Sequence, residues 1–113
     1  MNNLDAIAEF SAGKCGCSVK EMKGHERLTH IVKARHMTSW LARHLTVMSY
    51  TAIARQMNRD HTSIIHGHRK FADEADCAEM DVLLHKAEIF LKVRKGGIFK
   101  TVREYREKDE AKT

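Results

Sequence analysis

The residues with the clearest chemical potential lie together in residues 49–70. This stretch predicts a short helix over Tyr50–Met57, a sharp turn at Asn58-Arg59 and a second helix that Asp60 caps. The second helix carries polar and basic side chains on one face: Thr62, His66, Arg69 and Lys70. A helix-turn-helix presents its second helix to the major groove of DNA in this way. The stretch therefore predicts double-stranded DNA as the partner.

The side chains of this second helix suit different parts of a DNA duplex. The free N–H groups of the first turn favour a phosphate or an electron-rich base edge. His61 can donate or accept one hydrogen bond, and Thr62 offers a hydroxyl and a methyl group that can contact thymine. Arg69 and Lys70 follow where the helix would pass the sugar-phosphate backbone. The alternative for His61 and Thr62 is simple helix capping.

A second basic face is predicted on the helix Thr29–Leu45, whose other side is apolar. Arg35, Ser39 and Arg43 recur at every fourth residue, and His36 flanks them. Such side chains hold phosphates and fix the register of a protein on DNA without reading its sequence. An ordinary solvated face is the alternative.

The loop before that helix, residues 24–27, ends in Arg27. An arginine on a loop is a common probe of a narrow minor groove. We therefore expect Arg27 to contact DNA, although a lone loop arginine is more often only solvated.

The distribution of charge supports a nucleic-acid surface. Residues 18–71 contain ten Lys/Arg and three Asp/Glu, a net charge of +7, whereas the remainder contains ten Lys/Arg and twelve Asp/Glu, a net charge of −2. A contiguous basic block is the electrostatic footprint expected for DNA binding. A basic solvated surface without a partner is the alternative.

Composition favours helices, since the chain has no proline and only 6% aromatic residues. We expect an all-α helix-turn-helix bundle of about five to six helices. The start of the chain lacks a signal-peptide pattern, and no segment is long and apolar enough to span a bilayer. We therefore expect a cytoplasmic protein, bacterial or phage-encoded and associated with the nucleoid, with no membrane partner.

Three further helices are predicted outside residues 29–70. Asn3 caps the first, and Ser18 caps a short second helix with Glu21 as its capping-box partner. The last covers residues 78–95 and has two apolar stripes: Met80, Leu83, Leu84, Ala87, Phe90 and Leu91 on one side, and Val82, Ile89 and Val93 on the other. A helix that is apolar on two sides packs between elements or against another molecule. The second stripe therefore predicts a homodimer or a partner protein, unless a tail anchored by Ile98, Val102 and Tyr105 covers it.

The chain resembles the C-terminal DNA-binding domain, domain IV, of the bacterial DnaA replication initiators. Arg59-Asp-His-Thr-Ser-Ile-Ile-His-Gly-His-Arg-Lys70 is similar to that family's signature Arg-Asp-His-Thr-Thr-Val-Leu-His-Ala-Cys-Arg-Lys. Ala34-Arg-His-Met37 resembles its Pro-Arg-Gln-Met, and Ala8-Glu-Phe10 and Val19-Lys-Glu-Met22 fit its leading helices. The resemblance implies a Trp-repressor-like helix-turn-helix domain over residues 1–76, with residues 77–113 as an extension.

The resemblance also implies contacts to the DnaA box, the family's short AT-containing site. The implied base contacts are Arg27 in the minor groove, Asp60, His61 and Thr62 in the major groove, and Tyr50 and Thr51 near thymines. The expected phosphate contacts, from the residues and the resemblance together, are Arg35, His36, Ser39, Arg43, Ser63, His66, Arg69 and Lys70.

Three features depart from the family's pattern. Asn58 replaces its Gly-Gly, so the turn is one residue shorter, and Glu26 lies in a loop that is otherwise rich in arginine in the family. These 113 residues contain no Gly-x-x-x-x-Gly-Lys-Ser/Thr loop, so we expect no bound nucleotide and no ATPase. The expected role is a stand-alone regulator of transcription or replication initiation that acts by occupying DnaA-box-like sites.

Two other classes of function are alternatives to DNA binding. A protein-interaction module would keep the fold without box recognition and would bind through residues 78–95. A zinc or redox enzyme would depend on Cys15 and Cys17, but a single Cys-x-Cys pair is a weak metal signal. We see no pair of carboxylates and no nucleophile with a base, so we expect no enzyme, no catalytic residue, no metal and no cofactor.

Overall fold

Residues 3–94 are described by the computed structural model, and within them the chain forms six α-helices and no strand. The helices are α1 (Asn3–Cys15), α2 (Val19–Lys23), α3 (Thr29–Leu45), α4 (Tyr50–Met57), α5 (His61–Glu74) and α6 (Cys77–Arg94). This confirms the predicted all-α bundle. Asn3, the predicted cap of α1, already belongs to that helix. The predicted tail anchors Ile98, Val102 and Tyr105 lie outside the described residues.

Helix α3 lies at the centre of the bundle and contacts every other described helix. The side of α3 opposite the predicted basic face is buried, and its residues are Ile31, Ala34, Thr38, Leu41 and Leu45. On the side that faces α5, the ring centroids of Trp40 and Phe71 are 5.3 Å apart. Leu4 and Ile7 from α1 join the same core. The helix-turn-helix is therefore built on a packed scaffold and does not depend on its own short helices.

Local side-chain chemistry sets the ends of the short helices. Ser18 and Glu21 form the predicted capping box, in which each backbone N–H donates to the other side chain at 3.0 Å. The Ser49 hydroxyl accepts from the N–H of Ala52 at 3.1 Å. Asn58 makes the predicted sharp turn after α4 with a left-handed backbone, φ 56° and ψ 46°. One asparagine thus supplies the backbone conformation for which the family uses glycine.

Asp60 is in the predicted N-cap position of α5 but does not cap it. Its backbone is extended, with φ −74° and ψ 143°, yet its side chain makes no capping hydrogen bond within residues 3–94. The Oδ1 atom instead lies 3.3 Å from Nδ1 of His61. Because the carboxylate is drawn to the neighbouring imidazole, the prediction of a capping hydrogen bond is wrong.

Helix α6 packs with one face on the core and exposes the other. Ala87 and Leu91 are fully buried, whereas the exposed fractions of Val82, Ile89 and Val93 are 52%, 50% and 75%. The two predicted stripes therefore exist, and Ala87 and Leu91 of α6 share the core of the preceding helices. None of the helices in residues 3–94 has the length and hydropathy needed to cross a bilayer.

Candidate nucleic-acid interface

Helix α5 separates an inner face from an outer face. Ile64, Gly67 and Phe71 are buried against the bundle. All the predicted contact residues at the start of α5 and along its length are exposed: Asp60, His61, Thr62, Ser63, His66, Arg69 and Lys70. The structure thus brings these residues onto one continuous surface.

The first turn of α5 combines three kinds of recognition group. The side chains of His61 and Asp60 are 58% and 66% exposed. A carboxylate can accept a hydrogen bond from the amino group of cytosine, and the Thr62 methyl suits a thymine. The helix N-terminus adds a partial positive charge that favours an anion or an electron-rich edge. This arrangement can read base edges in a groove.

The predicted basic stripe of α3 is not a uniform exposed surface. Ser39 is 2% exposed, and its hydroxyl donates to the carbonyl of Arg35 at 3.0 Å. Arg35 itself donates from Nε to the carbonyl of Met22 at 2.7 Å and from Nη2 to the carbonyls of Glu21 and Gly24 at 3.2 and 3.1 Å. The expected phosphate contact by Ser39 is therefore excluded by burial. Arg35 is engaged with α2, because α2 covers this part of α3.

Arg43 is the exposed member of that stripe, and it is held from two sides. Its Nη1 donates to the carbonyl of Met48 at 2.8 Å, and its Cζ lies 4.4 Å from the centroid of the Tyr50 ring. The Tyr50 hydroxyl is 2.8 Å from Nδ1 of His68. His68 is therefore a hydrogen-bonded, half-buried histidine that packs inside the bundle. Tyr50 is half-buried as well, whereas Thr51, beside it, is exposed.

His36 and His66 meet across α3 and α5, with ring centroids 6.0 Å apart in an edge-on arrangement. Gly67 makes this approach possible, because a Cβ at that position would lie 2.7 Å from Cδ2 of His36. Burial, followed by the nearby His66 and Lys70, lowers the pKa of His36. The sequence predicted both histidines as phosphate contacts but not their pairing. The sequence feature that could have indicated this pairing is Gly67, a glycine inside a helix and on its buried face.

The loop that carries Arg27 is fixed at its start by two residues that the sequence analysis assigned only to the turn before α5. Arg59 donates from Nη2 to the carbonyl of Gly24, and also to that of Met22 at 3.4 Å. Nδ2 of Asn58 is 3.4 Å from the carbonyl of Lys23. Arg27 is exposed. The turn between α4 and α5 is therefore linked directly to the loop between α2 and α3.

A groove of about 700 Å³ lies beside this surface, between α3, α5 and the start of α6. Its apolar lining includes Val32, Phe71 and Leu83, while Lys70 and Glu79 supply opposite charges.

Cys15 and Cys17 lie in partly buried positions near the C-terminal end of α1. Burial, as the largest cause, raises the pKa of the Cys15 and Cys17 thiols, which favours the protonated form at neutral pH. Cys15, Cys17 and Cys77 are all free thiols. Among residues 3–94, no group of three or more His, Cys, Asp or Glu side chains is placed to hold a metal ion.

Comparison with known proteins gives a consistent result. Residues 4–71 match the family described as the bacterial dnaA protein helix-turn-helix. The chain is 34% identical over 68 residues to the chromosomal replication initiator protein DnaA of Lacticaseibacillus casei strain BL23, and equally to that of Lacticaseibacillus paracasei strain ATCC 334. The matched region covers 59% of this chain and 14% of the length of each relative.

Proposed function

Because the chain belongs to the family of bacterial DnaA helix-turn-helix domains, we propose that it binds double-stranded DNA sequence-specifically at sites resembling the DnaA box. One observation carries this proposal: Asp60, His61 and Thr62 are all exposed at the first turn of α5. The Asp60 side chain makes no capping hydrogen bond within residues 3–94. All three side chains therefore face solvent at the start of a helix that packs against α3. Base recognition needs that combination of exposure and rigid support.

The proposed contacts fall into two sets. Bases are read by Asp60, His61 and Thr62 in the major groove, with Tyr50 and Thr51 beside them and Arg27 in the minor groove. Phosphates are held by exposed or half-buried cationic and polar groups: His36, Arg43, Ser63, His66, Arg69 and Lys70. The first set gives specificity and the second gives affinity and register.

The proposed biological role is regulation of transcription or of replication initiation by occupancy of such sites. The matched region is 14% of the length of the DnaA relatives, so their whole activity is not carried over. The 113 residues contain no phosphate-binding Gly-x-x-x-x-Gly-Lys-Ser/Thr loop that would bring ATP hydrolysis to the site. Binding would therefore act by blocking or recruiting other proteins.

The deciding experiment is a fluorescence anisotropy titration of a labelled DnaA-box duplex and a scrambled duplex of the same composition, at two salt concentrations. We expect tighter binding of the box at both. Both affinities should fall as salt rises, because phosphate contacts release counterions. Equal affinity for the two duplexes at both concentrations would overturn the proposal of sequence-specific binding.

A second candidate function is a protein-interaction module, favoured by the exposed Val82, Ile89 and Val93 on α6. Three exposed aliphatic residues on one helical face are typical of a contact with a homodimer subunit or a partner protein. Analytical ultracentrifugation of the wild type and of Ile89→Lys tests self-association. A wild-type dimer that becomes a monomer on mutation would support this function, and an unchanged monomer would exclude self-association through this face.

A further inference from the structure

Two guanidinium groups from different parts of the chain meet at the C-terminal end of α2. Arg35 comes from α3, and Arg59 comes from the turn before α5. Both donate to the carbonyls of Met22 and Gly24, and Arg35 also donates to that of Glu21. Two carbonyls, those of Met22 and Gly24, are thus shared by one residue of the scaffold and one of the helix-turn-helix.

The end of α2 needs such donors. The last carbonyls of a helix have no partner within it, and cations at that end also stabilise the helix dipole. Val19–Lys23 has only five residues, which is too short for a helix to be stable alone. On the other side, Nζ of Lys23 lies 3.8 Å from Oδ1 of Asp5 in α1. The position of α2 is therefore set by these tertiary contacts.

The charges around the two arginines show how they can lie close together. Burial and the neighbouring Arg59 lower the pKa of Arg35, while Glu26 raises it. The Oε2 atom of Glu26 lies near Gly24, only 2.5 Å from where a Cβ there would be. The acidic residue of the loop thus lies near the carbonyl-bearing Gly24 and favours the charged form of Arg35, against the effect of Arg59.

The loop that follows is short and anchored at both ends. Gly24 is held by the two arginines, and α3 begins at Thr29. Arg27 is the third residue after Gly24. Its backbone therefore stays within about 10 Å of the pair of Arg35 and Arg59 and the carbonyls that the pair holds, which we call the clamp. The clamp therefore limits where Arg27 can reach.

We infer that Arg35 and Arg59 are positioning residues, which hold the loop of residues 24–28 against the turn at Asn58-Arg59. Arg27 then enters the minor groove in register with the first turn of α5 in the major groove. This inference depends on the proposed DNA binding. It changes the expected role of Arg35, which acts through Arg27 and does not itself hold a phosphate.

The two roles of Arg35 differ in a measurable way. Loss of a phosphate contact weakens binding to all DNA and lowers the salt slope by about one unit. Loss of a positioning residue weakens the contact that it positions, so its effect disappears once Arg27 has been removed. The test is a double-mutant cycle of Arg27→Ala and Arg35→Ala on box duplexes with AT-rich and GC-rich flanks.

Wild type should bind the AT-flanked duplex more tightly, because AT-rich flanks narrow the minor groove. Arg27→Ala should lose this preference, Arg35→Ala should reduce it, and the double variant should match Arg27→Ala. Arg43→Ala is the matched control, since it should weaken both duplexes equally. An unchanged flank preference in Arg35→Ala, or a wild type that binds the box with no flank preference, would overturn the inference alone. A wild type that does not prefer the box would overturn the proposed function instead.

A readout without DNA separates positioning from folding. Amide hydrogen exchange in residues 19–27 should be faster in Arg59→Ala than in wild type, while α5 keeps its protection. If Arg35→Ala does not fold, Arg35→Lys carries the cycle, because lysine keeps the charge but cannot reach several carbonyls with a planar group. Wild-type exchange rates in residues 19–27 of both Arg59→Ala and Arg35→Lys would contradict the clamp.

Discussion

The outer face of α5 and the basic face of α3 carry similar residue types at similar helical spacing, yet their side chains are engaged differently. On α3, Arg35, Ser39 and Arg43 each donate to a backbone carbonyl. On α5, His61 and Thr62 are exposed at the start of the helix. The difference arises because α3 is contacted by every other described helix, whereas α5 begins directly after a tight turn.

This contrast shows that a basic residue on a predicted DNA face can serve the fold first. A hydrogen bond from a charged donor contributes about 1.5–3 kcal/mol, so a guanidinium that already holds carbonyls is not freely available to phosphate. The contacts at the outer face of α5, such as those between His61 and Asp60 and between Lys70 and Glu74, are exposed and contribute little to stability. We therefore expect substitutions on this outer face to change mainly DNA recognition, and substitutions on α3 to change stability as well.

The largest effect on recognition is expected for His61→Ala. It should cost roughly 1–3 kcal/mol on the cognate duplex and little on random DNA, because a base contact is lost. Its thermal stability should remain that of wild type, since the side chain is 58% exposed. Anisotropy titrations and thermal melts measure the two effects.

His85→Ala is the matched control for His61→Ala, because His85 is an exposed histidine on α6. It should bind both duplexes as wild type does. Equal losses for His61→Ala on cognate and random DNA would contradict the assignment of His61 to base contact.

Arg43→Ala should act on binding and stability together. The salt slope should fall by about one unit as a phosphate contact is lost. The free energy of unfolding should fall by about 1 kcal/mol, because the stacking on Tyr50 and the hydrogen bond to Met48 are lost at an exposed site.

Arg69→Ala on α5 provides the comparison for Arg43→Ala. It should lower the salt slope by a similar amount and leave the urea midpoint unchanged, because Arg69 is exposed on the outer face. Equal destabilisation of the two variants would remove the distinction between the two faces.

Gly67→Ala tests the contact between the faces, where α3 and α5 approach most closely. Alanine favours a helix over glycine by about 1 kcal/mol. Its Cβ would nevertheless lie 2.7 Å from Cδ2 and 3.4 Å from Cα of His36, so overpacking should outweigh this gain by about 1 kcal/mol.

A cycle with His36→Gln isolates that clash, since a flexible amide side chain can turn away from the new methyl group. The family signatures that this chain resembles have alanine at the position of Gly67 and glutamine at the position of His36. Gly67→Ala should therefore be tolerated in the His36→Gln background. Additive effects in urea denaturation of the four variants would show that the two residues are independent.

Much of the fold could be predicted because its signals are local. The bounds of α3 and α4, the capping box of Ser18 and the left-handed Asn58 follow from spacing and from turn and cap chemistry within a few residues. The role of Arg35 could not be predicted, because it depends on where α2 packs. Its spacing with Ser39 and Arg43 places all three on one face but does not show which neighbours cover it. The exposed residues on α5 needed only the helix bounds and the resemblance.

The smallest effect on the free energy of unfolding is expected from a change of pH, and it arises from histidines that contact other side chains of the bundle. Burial, as the largest cause, lowers the pKa of His36, His44 and His68. A histidine whose pKa is lower in the folded state binds fewer protons folded than unfolded. Its stabilising contribution is therefore complete above the unfolded pKa of about 6.5 and is lost as the pH falls below it. The free energy of unfolding should decrease between about pH 7 and pH 5.5.

The residues around His68 make this dependence testable one histidine at a time. His44 lies with its ring centroid 4.3 Å from that of Trp40 and 5.9 Å from that of His68, and the Tyr50 hydroxyl is bonded to His68. A proton on either imidazole would add a charge to this cluster of rings, beside Arg43. His44→Gln should therefore show a shallower loss of stability in urea denaturation as the pH falls. A wild-type curve that stays flat over the same range, or a His44→Gln curve as steep as that of wild type, would contradict this origin. The first result would show that these histidines do not make the fold sensitive to acid, and the second would place that sensitivity outside the contacts of His44.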